Sequence, residues 1–383
     1  MYKLGPIFVD TKKGKDIYMI NYLDYDNSIL SLINSIEKHY GVETNHNTLK
    51  TADELLKHNY RNIVIMVFDA MGSRNLQELL PETSFLRRHM LEEIHSVFPP
   101  TTTAATTTLA SGLAPSEHSW LGWTLHFSEV NDNVNIFINT NNDGQLVADY
   151  HVANHCIPYI TVVDKIREQK IKAESISKFG TYRIASFEEL LYSVKNLCEE
   201  SGPHYLYTYW NEPDFSMHEK GVTSDEVITW MKLIDSEVEL LCNQLQDTIL
   251  FIIADHGHIN GRNEYIGNYP DIIDTLRWLP TIEPRSLAFH VKEGKEKDFC
   301  FAFRKHFAKD FMLLSKQEVI TSSLFGKGNL HPRFEEFIGD YLAIAIGNVA
   351  IFNSQEETDL FVGVHAGMTE KEMMVPLIVV ERK

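Results

Sequence analysis

The sequence predicts an α/β protein built on a doubly wound, mostly parallel sheet flanked by helices. Its short apolar runs are rich in β-branched and aromatic residues and end abruptly in polar residues, which is typical of strands buried on both faces of a parallel sheet. Segments with helical periodicity separate these runs, and such alternation favours the doubly wound arrangement. Ligands of these sheets bind beyond the carboxyl ends of the strands, where this sequence has acidic residues.

Four apolar runs are predicted to be strands of this sheet. They cover residues 63–68, 159–163, 205–210 and 249–254, and they are followed by Asp69, Asp164, Asn211 and Asp255. Further along the chain, residues 340–353 and 372–380 also have strand-like sequence. Polar, turn-rich sequence at 131–144 indicates an exposed hairpin.

Two helices are indicated by their periodicity and their ends. Residues 224–246 carry apolar side chains at spacings of three and four, and Ser224 is suited to cap this helix. Residues 99–112 begin with two prolines and stop at Gly112, which suits a helix end. The second segment contains six threonines, most of whose hydroxyls we expect to bond to the preceding turn. One hydroxyl at the helix N-terminus would instead lie where backbone N–H groups favour an anion or alkoxide.

A small α+β cap is predicted within the main domain, because residues 282–330 follow a different, βαβα rhythm. Its strands are predicted at 286–291 and 311–314, and its helices at 296–307 and 316–324. The catalytic domain then comprises residues 1–281 and 331–383.

Composition argues against several classes of protein. The 383 residues carry 53 acidic against 35 basic side chains, a net charge of −18, which disfavours a nucleic acid polymer as partner. The four cysteines form no CxxC pair, so a reducing compartment is indicated rather than a disulfide scaffold. Residues 1–6 do not begin a secretory signal, and no apolar run is long enough to cross a membrane. We therefore expect a cytoplasmic protein without a membrane partner, and homo-oligomerisation is left open.

Six polar residues near the predicted strand ends form a set of nitrogen and oxygen ligands. They are Asp69, Asp214, His218, Asp255, His256 and His365. Such a set suits two divalent metal ions, zinc first and manganese second. Asp214 and His218 stand four residues apart, so they would face the same way on a helical turn. Each residue alone is weak evidence, because the chain has 17 histidines and an Asp after a strand is commonly a turn former.

The motifs that contain these residues have a specific order along the chain. They are Asp69 after an apolar strand, Phe98-Pro99-Pro100-Thr101-Thr102, Gly112-Leu113-Ala114-Pro115-Ser116-Glu117-His118, Pro213-Asp214-Phe215-Ser216-Met217-His218, Ala254-Asp255-His256-Gly257 and His365-Ala366-Gly367. In this combination the sequence resembles the alkaline phosphatase superfamily, and within it the nucleotide pyrophosphatase/phosphodiesterase-like branch. The resemblance covers roughly residues 63–380.

This resemblance implies a role for each residue of the set. Thr102 matches the nucleophile and bridges to one zinc ion, whose other ligands match Asp69, Asp255 and His256. The other zinc ion is bound by the residues that match Asp214, His218 and His365. Thr101 and Thr103 are neighbouring alternatives for the nucleophile. The implied reaction is an in-line displacement at phosphorus that passes through a phospho-threonine.

The substrate implied by the resemblance is a phosphodiester or pyrophosphate of a nucleotide-like molecule. A phosphomonoesterase of the same superfamily and a non-catalytic metal-binding protein are the alternatives. In phosphodiesterase relatives an Asn that contacts the phosphoryl oxygen follows the Gly-Leu-x-Pro-x-x-His stretch, and the matching place here falls near Trp123. We hypothesise that Trp120 or Trp123 lines the substrate pocket, the alternative being that both are packing residues.

Overall fold

The computed structural model describes residues 23–383. The sequence-based expectation for residues 1–6 therefore lies outside the described residues. None of the helices between residues 23 and 383 combines the length and the apolar character that a bilayer crossing requires.

A seven-stranded sheet forms the centre of the molecule, in the order β2-β17-β8-β1-β7-β5-β6. β17 runs antiparallel to both of its neighbours, and the other adjacent strands are parallel. Its strands are β1 (Asn62–Phe68), β2 (Met90–His95), β5 (Lys172–Ser177), β6 (Tyr182–Arg183), β7 (His204–Trp210), β8 (Thr248–Ile253) and β17 (Met374–Arg382). The predicted doubly wound, mostly parallel sheet is confirmed.

A second sheet of six antiparallel strands lies beside the first, in the order β13-β14-β12-β11-β3-β4. Its strands are β3 (Thr124–Phe127), β4 (Asp132–Asn135), β11 (Thr281–Glu283), β12 (Ser286–Phe289), β13 (Phe311–Ser315) and β14 (Tyr341–Ala345). Two further pairs are formed by β9 (Ile259–Asn260) with β16 (Gly363–Val364) and by β10 (Arg262–Tyr265) with β15 (Val349–Phe352).

Helices cover both faces of the central sheet. One face is packed by α1, α2, α5 and α8, and the other by α3, α4, α9 and α11. The α-helices are α1 (Ile29–His39), α2 (Lys50–Leu56), α3 (Ser73–Leu79), α4 (Phe85–His89), α5 (Thr102–Ser111), α6 (Pro115–His118), α7 (Val152–Cys156), α8 (Val162–Glu168), α9 (Phe187–Glu199), α10 (Asp214–Lys220), α11 (Asp225–Cys242), α12 (Pro270–Ile273), α13 (Glu296–Phe307), α14 (Lys316–Ser322), α15 (Phe334–Phe337), α16 (Gln355–Leu360) and α17 (Glu370–Met373).

The strand predicted at 159–163 is wrong, because the chain begins helix α8 there. The Thr161 hydroxyl caps this helix by accepting a hydrogen bond from the Asp164 backbone N–H (3.0 Å). Val162, Val163 and Ile166 are then buried on one face of the helix. Of the run, only Val162 and Val163 lie in the helix, and Ile160 before it is 63% exposed. A short apolar run does not by itself distinguish a helix segment from a strand.

The helices and strands predicted between 282 and 330 are present, but their strands belong to a sheet that is larger than the predicted cap. β12, α13, β13 and α14 occupy the predicted positions within a few residues. The same sheet also contains β3, β4 and β14, which come from outside 282–330. Of the hairpin expected at 131–144, the first residues form β4, which pairs with β3, and the rest forms turns with isolated bridges from Thr140 to Asn135 and to Leu146. The division into a catalytic domain and a cap stays a prediction.

A fully buried ion pair connects the second sheet to the chain that follows the last metal-ligand motif. Arg285, between β11 and β12, donates from Nε to Glu372 Oε1 (2.7 Å) and from Nη2 to Glu372 Oε2 (2.8 Å). Both side chains have no exposed surface. The remaining Arg285 donors bind the carbonyls of Gly347 and Val349. This pair has its hydrogen-bonding groups well satisfied, as a buried charge requires.

We predict that Arg285→Met lowers the free energy of unfolding by about 3–5 kcal/mol, because it leaves the Glu372 carboxylate buried without its partner. Urea unfolding followed by circular dichroism measures this change. The control is Arg277→Met, which removes a partly exposed pair with Asp340 and should cost less than about 1 kcal/mol. Equal losses in the two variants would contradict the prediction.

Candidate active site

The carboxyl ends of three adjacent parallel strands bring the predicted polar residues together. Asp69 follows β1, and Asp255 and His256 follow β8 after one residue. Asp214 begins α10, just beyond β7. Because β1 lies between β7 and β8 in close register, these loops leave the sheet at the same edge. His365 reaches the same place from the loop after β16.

Asp69, Asp255 and His256 form a buried first group, and Thr102 lies against it. His256 Nε2 is 3.3 Å from Asp69 Oδ1 and 3.7 Å from Asp255 Oδ2. The Thr102 hydroxyl is 3.1 Å from His256 Nε2 and 3.4 Å from each Asp69 carboxylate oxygen. The four side chains therefore surround one point, with the hydroxyl on its open side.

Asp214, His218, His258 and His365 form a second group whose ligand atoms lie within 4.8 Å of one another. His218 Nε2 is 3.5 Å from Asp214 Oδ2, and His258 Nε2 is 3.3 Å from Asp214 Oδ1. The rings of His256 and His365 stack with their centroids 4.0 Å apart. The two groups are therefore direct neighbours.

These distances fit two metal ions. Four ligand atoms about 2.0–2.2 Å from a tetrahedral ion lie about 3.3–3.5 Å from one another, close to the spacings within each group. The remote ring nitrogens are also held: Nδ1 of His218, His256 and His365 each faces a backbone carbonyl, at 2.9, 3.1 and 3.3 Å respectively. A carbonyl only accepts, so Nδ1 carries the hydrogen and Nε2 keeps its lone pair for a metal.

The carboxylates of the site lack compensating positive charge, which also favours the binding of cations. Burial and the neighbouring carboxylates of Asp214 and Asp255 hold the pKa of Asp69 well above its usual range. Burial raises the pKa of Asp255 as well. Burial acts in the same direction on Asp214, but the imidazole of His218 and its neighbours outweigh it and lower the pKa. Within residues 23–383, no lysine or arginine forms an ion pair with these three carboxylates. Two divalent ions would supply the missing positive charge.

The three candidates for the nucleophile, at the start of the threonine-rich helix α5, have hydroxyls in different surroundings. Thr101 is the N-cap residue, and its hydroxyl donates to Glu283 Oε1 (2.6 Å) and makes no capping hydrogen bond to the helix. Thr103 is fully buried, with no hydrogen-bond partner for its hydroxyl among the described residues. Of the three, Thr102 alone places its hydroxyl at the first group. Gly112 ends the helix with φ of +71°, a left-handed conformation that suits glycine.

The expected back-bonding of the other threonines occurs at one of them. Thr106 donates its hydroxyl to the Thr102 carbonyl (2.6 Å). This hydrogen bond stabilises the first turn of α5, which carries the Thr102 hydroxyl. Thr108 instead contacts His118 Nε2 (3.1 Å), and Thr107 is buried without a partner for its hydroxyl.

A cavity of about 300 Å³ opens beside Thr102, between the strand ends and the second sheet. Trp123, Phe352 and Phe361 are its aromatic lining residues, and Trp123 is 41% exposed whereas Phe352 is buried. Trp120 is buried instead, and its indole N–H donates to the Ile157 carbonyl (2.8 Å). Of the two tryptophans, Trp123 therefore lies at the cavity and Trp120 packs beneath the loop.

Three residues near the cavity were not singled out from the sequence as members of the site. Tyr209 lies within β7 and donates its hydroxyl to Asp69 Oδ2. Glu283, at the end of β11, accepts from the Thr101 hydroxyl and the Trp123 backbone N–H (2.8 Å). His258 was not part of the predicted set, although its spacing of two from His256 could have indicated a further ligand. The other two carry no signal in the sequence, because only the fold brings them to the site.

Burial raises the pKa of Glu283 to about 7, which predicts a pH dependence of stability. Between pH 4.5 and 7 the native state binds a proton that the unfolded state has lost, so the contribution of Glu283 is full below pH 4.5 and is lost as the pH rises to 7. Glu283→Gln removes this titration. In metal-free protein, we expect the stability of wild type relative to Glu283→Gln to fall by about 3 kcal/mol across this window.

Urea unfolding of both metal-free proteins at several pH values measures this difference. A difference that stays constant with pH, or that grows in favour of the wild type as the pH rises, would contradict the assignment of a protonated Glu283.

Comparison with known proteins agrees with this geometry. The family model of type I phosphodiesterase/nucleotide pyrophosphatase matches residues 63–368, a span that includes Thr102 and both groups of ligands. No curated protein sequence matches the chain significantly.

Solved structures with the same fold include two kinds of protein. Murine ectonucleotide pyrophosphatase/phosphodiesterase 5, solved as an inactive threonine-to-alanine variant with AMP, is 16% identical, with a TM-score of 0.63, covering 82% of this chain and 87% of that chain. The human protein of the same name gives the same values. Phosphonoacetate hydrolase from Sinorhizobium meliloti, with phosphonoformate, is 16% identical, with a TM-score of 0.62, covering 84% of this chain and 90% of that chain.

The family match extends over most of the chain, and the related structures share its fold. The chain belongs to the type I phosphodiesterase/nucleotide pyrophosphatase family of the alkaline phosphatase superfamily, whose members are metal-dependent hydrolases, and it is a phosphoric ester hydrolase.

Proposed function

We propose that this protein is a two-zinc phosphodiesterase that cleaves a nucleotide-like phosphodiester or pyrophosphate through a phospho-threonine at Thr102. The observation that carries the proposal is the position of the Thr102 hydroxyl, at the N-terminus of α5 and within 3.4 Å of His256 and Asp69. A threonine hydroxyl is a weak nucleophile unless a metal or a base activates it. Here it lies among metal-ligating groups and opens onto the cavity.

The two groups would hold one ion each. Asp69, Asp255 and His256 would bind the first with Thr102, and Asp214, His218 and His365 would bind the second. Zinc suits this set of imidazole and carboxylate ligands at tetrahedral spacing, and manganese is the alternative. When bound, the ions supply electrostatic stabilisation of the negative charge that develops on the phosphoryl group and on the entering and leaving oxygens.

The residues of the chain supply positioning and the nucleophile. The Thr102 oxygen forms a bond to phosphorus while the bond to the leaving oxygen breaks, which gives phospho-threonine and the released alcohol or phosphate. Water then attacks phosphorus, the bond to the Thr102 oxygen breaks, and the hydroxyl is regenerated. The N-terminal N–H groups of α5 face the transferred group and favour its negative charge. Catalysis then depends on orientation and electrostatics, as in phosphoryl transfer generally.

The charge of the cavity favours diesters over monoesters. Within residues 23–383 no lysine or arginine lines it, so positive charge would come from the two metal ions. A phosphomonoester carries up to two negative charges at phosphorus, and a diester carries one. Because no cationic side chain is present to offset the second charge, the diester meets less repulsion. The phosphomonoesterase therefore remains the second candidate.

The aromatic lining favours a substrate with a flat ring. Trp123, Phe352 and Phe361 line the cavity, and stacking of a base on an aromatic side chain does not depend on which base is bound. The similar murine structure was solved with AMP, which supports a nucleotide-like substrate here. The cytoplasmic location remains a prediction that rests on the cysteine content.

We predict that Thr102→Ala lowers kcat for an aryl phosphodiester by at least about a thousand-fold, because the nucleophile is removed. Steady-state hydrolysis of bis-p-nitrophenyl phosphate by zinc-loaded protein measures this loss. The matched control is Thr102→Ser, which keeps a hydroxyl. This variant should retain measurable turnover, and its phosphoenzyme intermediate should be trappable. An alanine variant as active as wild type would place the nucleophile elsewhere.

We predict that wild-type kcat/KM for the p-nitrophenyl ester of thymidine 5′-phosphate exceeds that for p-nitrophenyl phosphate by at least about tenfold. The reason is that no lysine or arginine lines the described cavity to offset the second charge of the monoester, and a difference of about 1.4 kcal/mol gives this factor. Paired assays at the same pH and zinc concentration measure the ratio. A preference for the monoester would favour the second candidate function.

Trp123→Ala tests the stacking contribution within the same assays. We expect kcat/KM for the thymidine ester to fall at least about fivefold, since a stacked base is worth about 1–3 kcal/mol. The smaller p-nitrophenyl phosphate should be affected less. Unchanged kcat/KM for both esters would remove Trp123 from the substrate site.

A further inference from the structure

His258 lies at the second group of ligands but has no role in the set of residues that the motifs predict. It stands in the loop after β8, two residues beyond His256, and has no exposed surface. Asn75 fixes its backbone on both sides, because the Asn75 amide donates to the His258 carbonyl (3.1 Å) and its oxygen accepts from the His258 N–H (3.0 Å). The position of this imidazole is therefore set by two hydrogen bonds of its own main chain.

The surroundings leave room for the ring only where it now lies. A Cβ atom on Gly363 would approach the His258 ring to 2.7 Å, so any larger residue at 363 would displace it. On the other side, the ring centroid is 4.5 Å from that of His218 and 5.3 Å from that of His365. The imidazole is thus packed between a glycine and two candidate metal ligands.

Neither ring nitrogen of His258 makes a hydrogen bond to another described group. Asp214 Oδ1 is likewise without a hydrogen-bond partner, although His258 Nε2 is only 3.3 Å away. A buried nitrogen and a buried carboxylate oxygen that point to the same place without bonding to each other are costly unless a third group binds both. An ion between them satisfies both lone pairs at once.

We propose that His258 is a fourth protein ligand of the second metal ion, together with Asp214, His218 and His365. This inference rests on the proposed function, because it requires that metal ions bind. Its own evidence is the spacing of the four ligand atoms, which lie within 4.8 Å of one another, together with the unpaired ring nitrogens of His258 and the unpaired Asp214 Oδ1. The distances of 3.3 and 3.5 Å from Asp214 to His258 and His218 match the edges of a tetrahedral site, about 3.3–3.5 Å.

The two metal sites then differ in kind. The first site takes three ligands, Asp69, Asp255 and His256, and its fourth position belongs to Thr102. The second site is closed by four protein side chains, as in structural zinc sites, whereas a three-ligand site keeps a position for substrate or water. We therefore expect the second ion to be the more tightly held of the two, and a substrate oxygen to reach it only by a fifth coordination position.

The test is metal binding by His258→Ala, measured on metal-free protein by zinc titration with a competing chelator and by the absorption spectrum with cobalt. We expect wild type to bind two ions, one of them more tightly. In the variant, the affinity for that ion should fall by at least about a hundred-fold, the tetrahedral cobalt band should weaken, and the ion at Asp69, Asp255 and His256 should bind as before. The matched control is His290→Ala, which removes another buried histidine, 4% exposed, away from both groups.

Three outcomes overturn the inference in different ways. Two ions bound by the variant with wild-type affinities would show that His258 is not a ligand, and the proposed function would stand. No ions bound by wild type would reject the proposed function together with this inference. An equal loss of zinc affinity in His290→Ala would show that the effect arises from the removal of a buried ring rather than of a ligand.

If His258→Ala does not fold, the zinc-loaded wild type decides the matter directly. In a crystal structure measured at the zinc absorption edge, we expect a His258 ring nitrogen about 2.0–2.1 Å from the second ion. A nitrogen that hydrogen-bonds Asp214 instead and lies more than about 3 Å from the ion would overturn the inference.

Discussion

Asp69 and Asp255 are buried at one edge of the central sheet, and Asp214 beside them has 14% of its side chain exposed. In the part of the chain that the structure describes, no lysine or arginine pairs with these three carboxylates. Asp69, Asp214 and Asp255 reach that edge because parallel strands end there together. A buried carboxylate without a counter-charge is costly, so the site is completed by cations from outside the chain. The chemistry follows from the same constraint, since ions that neutralise the carboxylates also attract a phosphoryl group into a protein of net charge −18.

The second sheet turns this charged edge into an active-site cavity. Glu283 from that sheet accepts hydrogen bonds from the Thr101 hydroxyl and the Trp123 backbone N–H, so it fixes both the start of α5 and one wall of the cavity. The buried pair of Arg285 and Glu372 ties the same sheet to the chain after His365, where Glu372 also accepts from the Gly367 N–H. The central sheet supplies the strand ends that carry the carboxylates. The second sheet holds in place the groups that face those strand ends.

Much of the fold could be predicted from the sequence, because the strands that carry the site are buried on both faces and therefore read as unbroken apolar runs. The run at 159–163 was assigned wrongly because a helix buries one face of similar length, and the cap at Thr161 decides between the two. The motifs identified the six candidate ligands and Thr102, whereas His258 and Glu283 depend on contacts across 44 and 182 residues that no local pattern contains. The membership of β3 and β4 in the second sheet was missed for the same reason.

The most direct measurement is the activity of metal-free protein as zinc is added in increments. The account predicts that hydrolysis of a phosphodiester is absent without metal, rises with added zinc and reaches its full value only at two ions per chain, because each group of ligands must be filled before Thr102 and the leaving oxygen are both stabilised. Full activity without metal, or at a single ion per chain, would contradict a two-metal site at the strand ends.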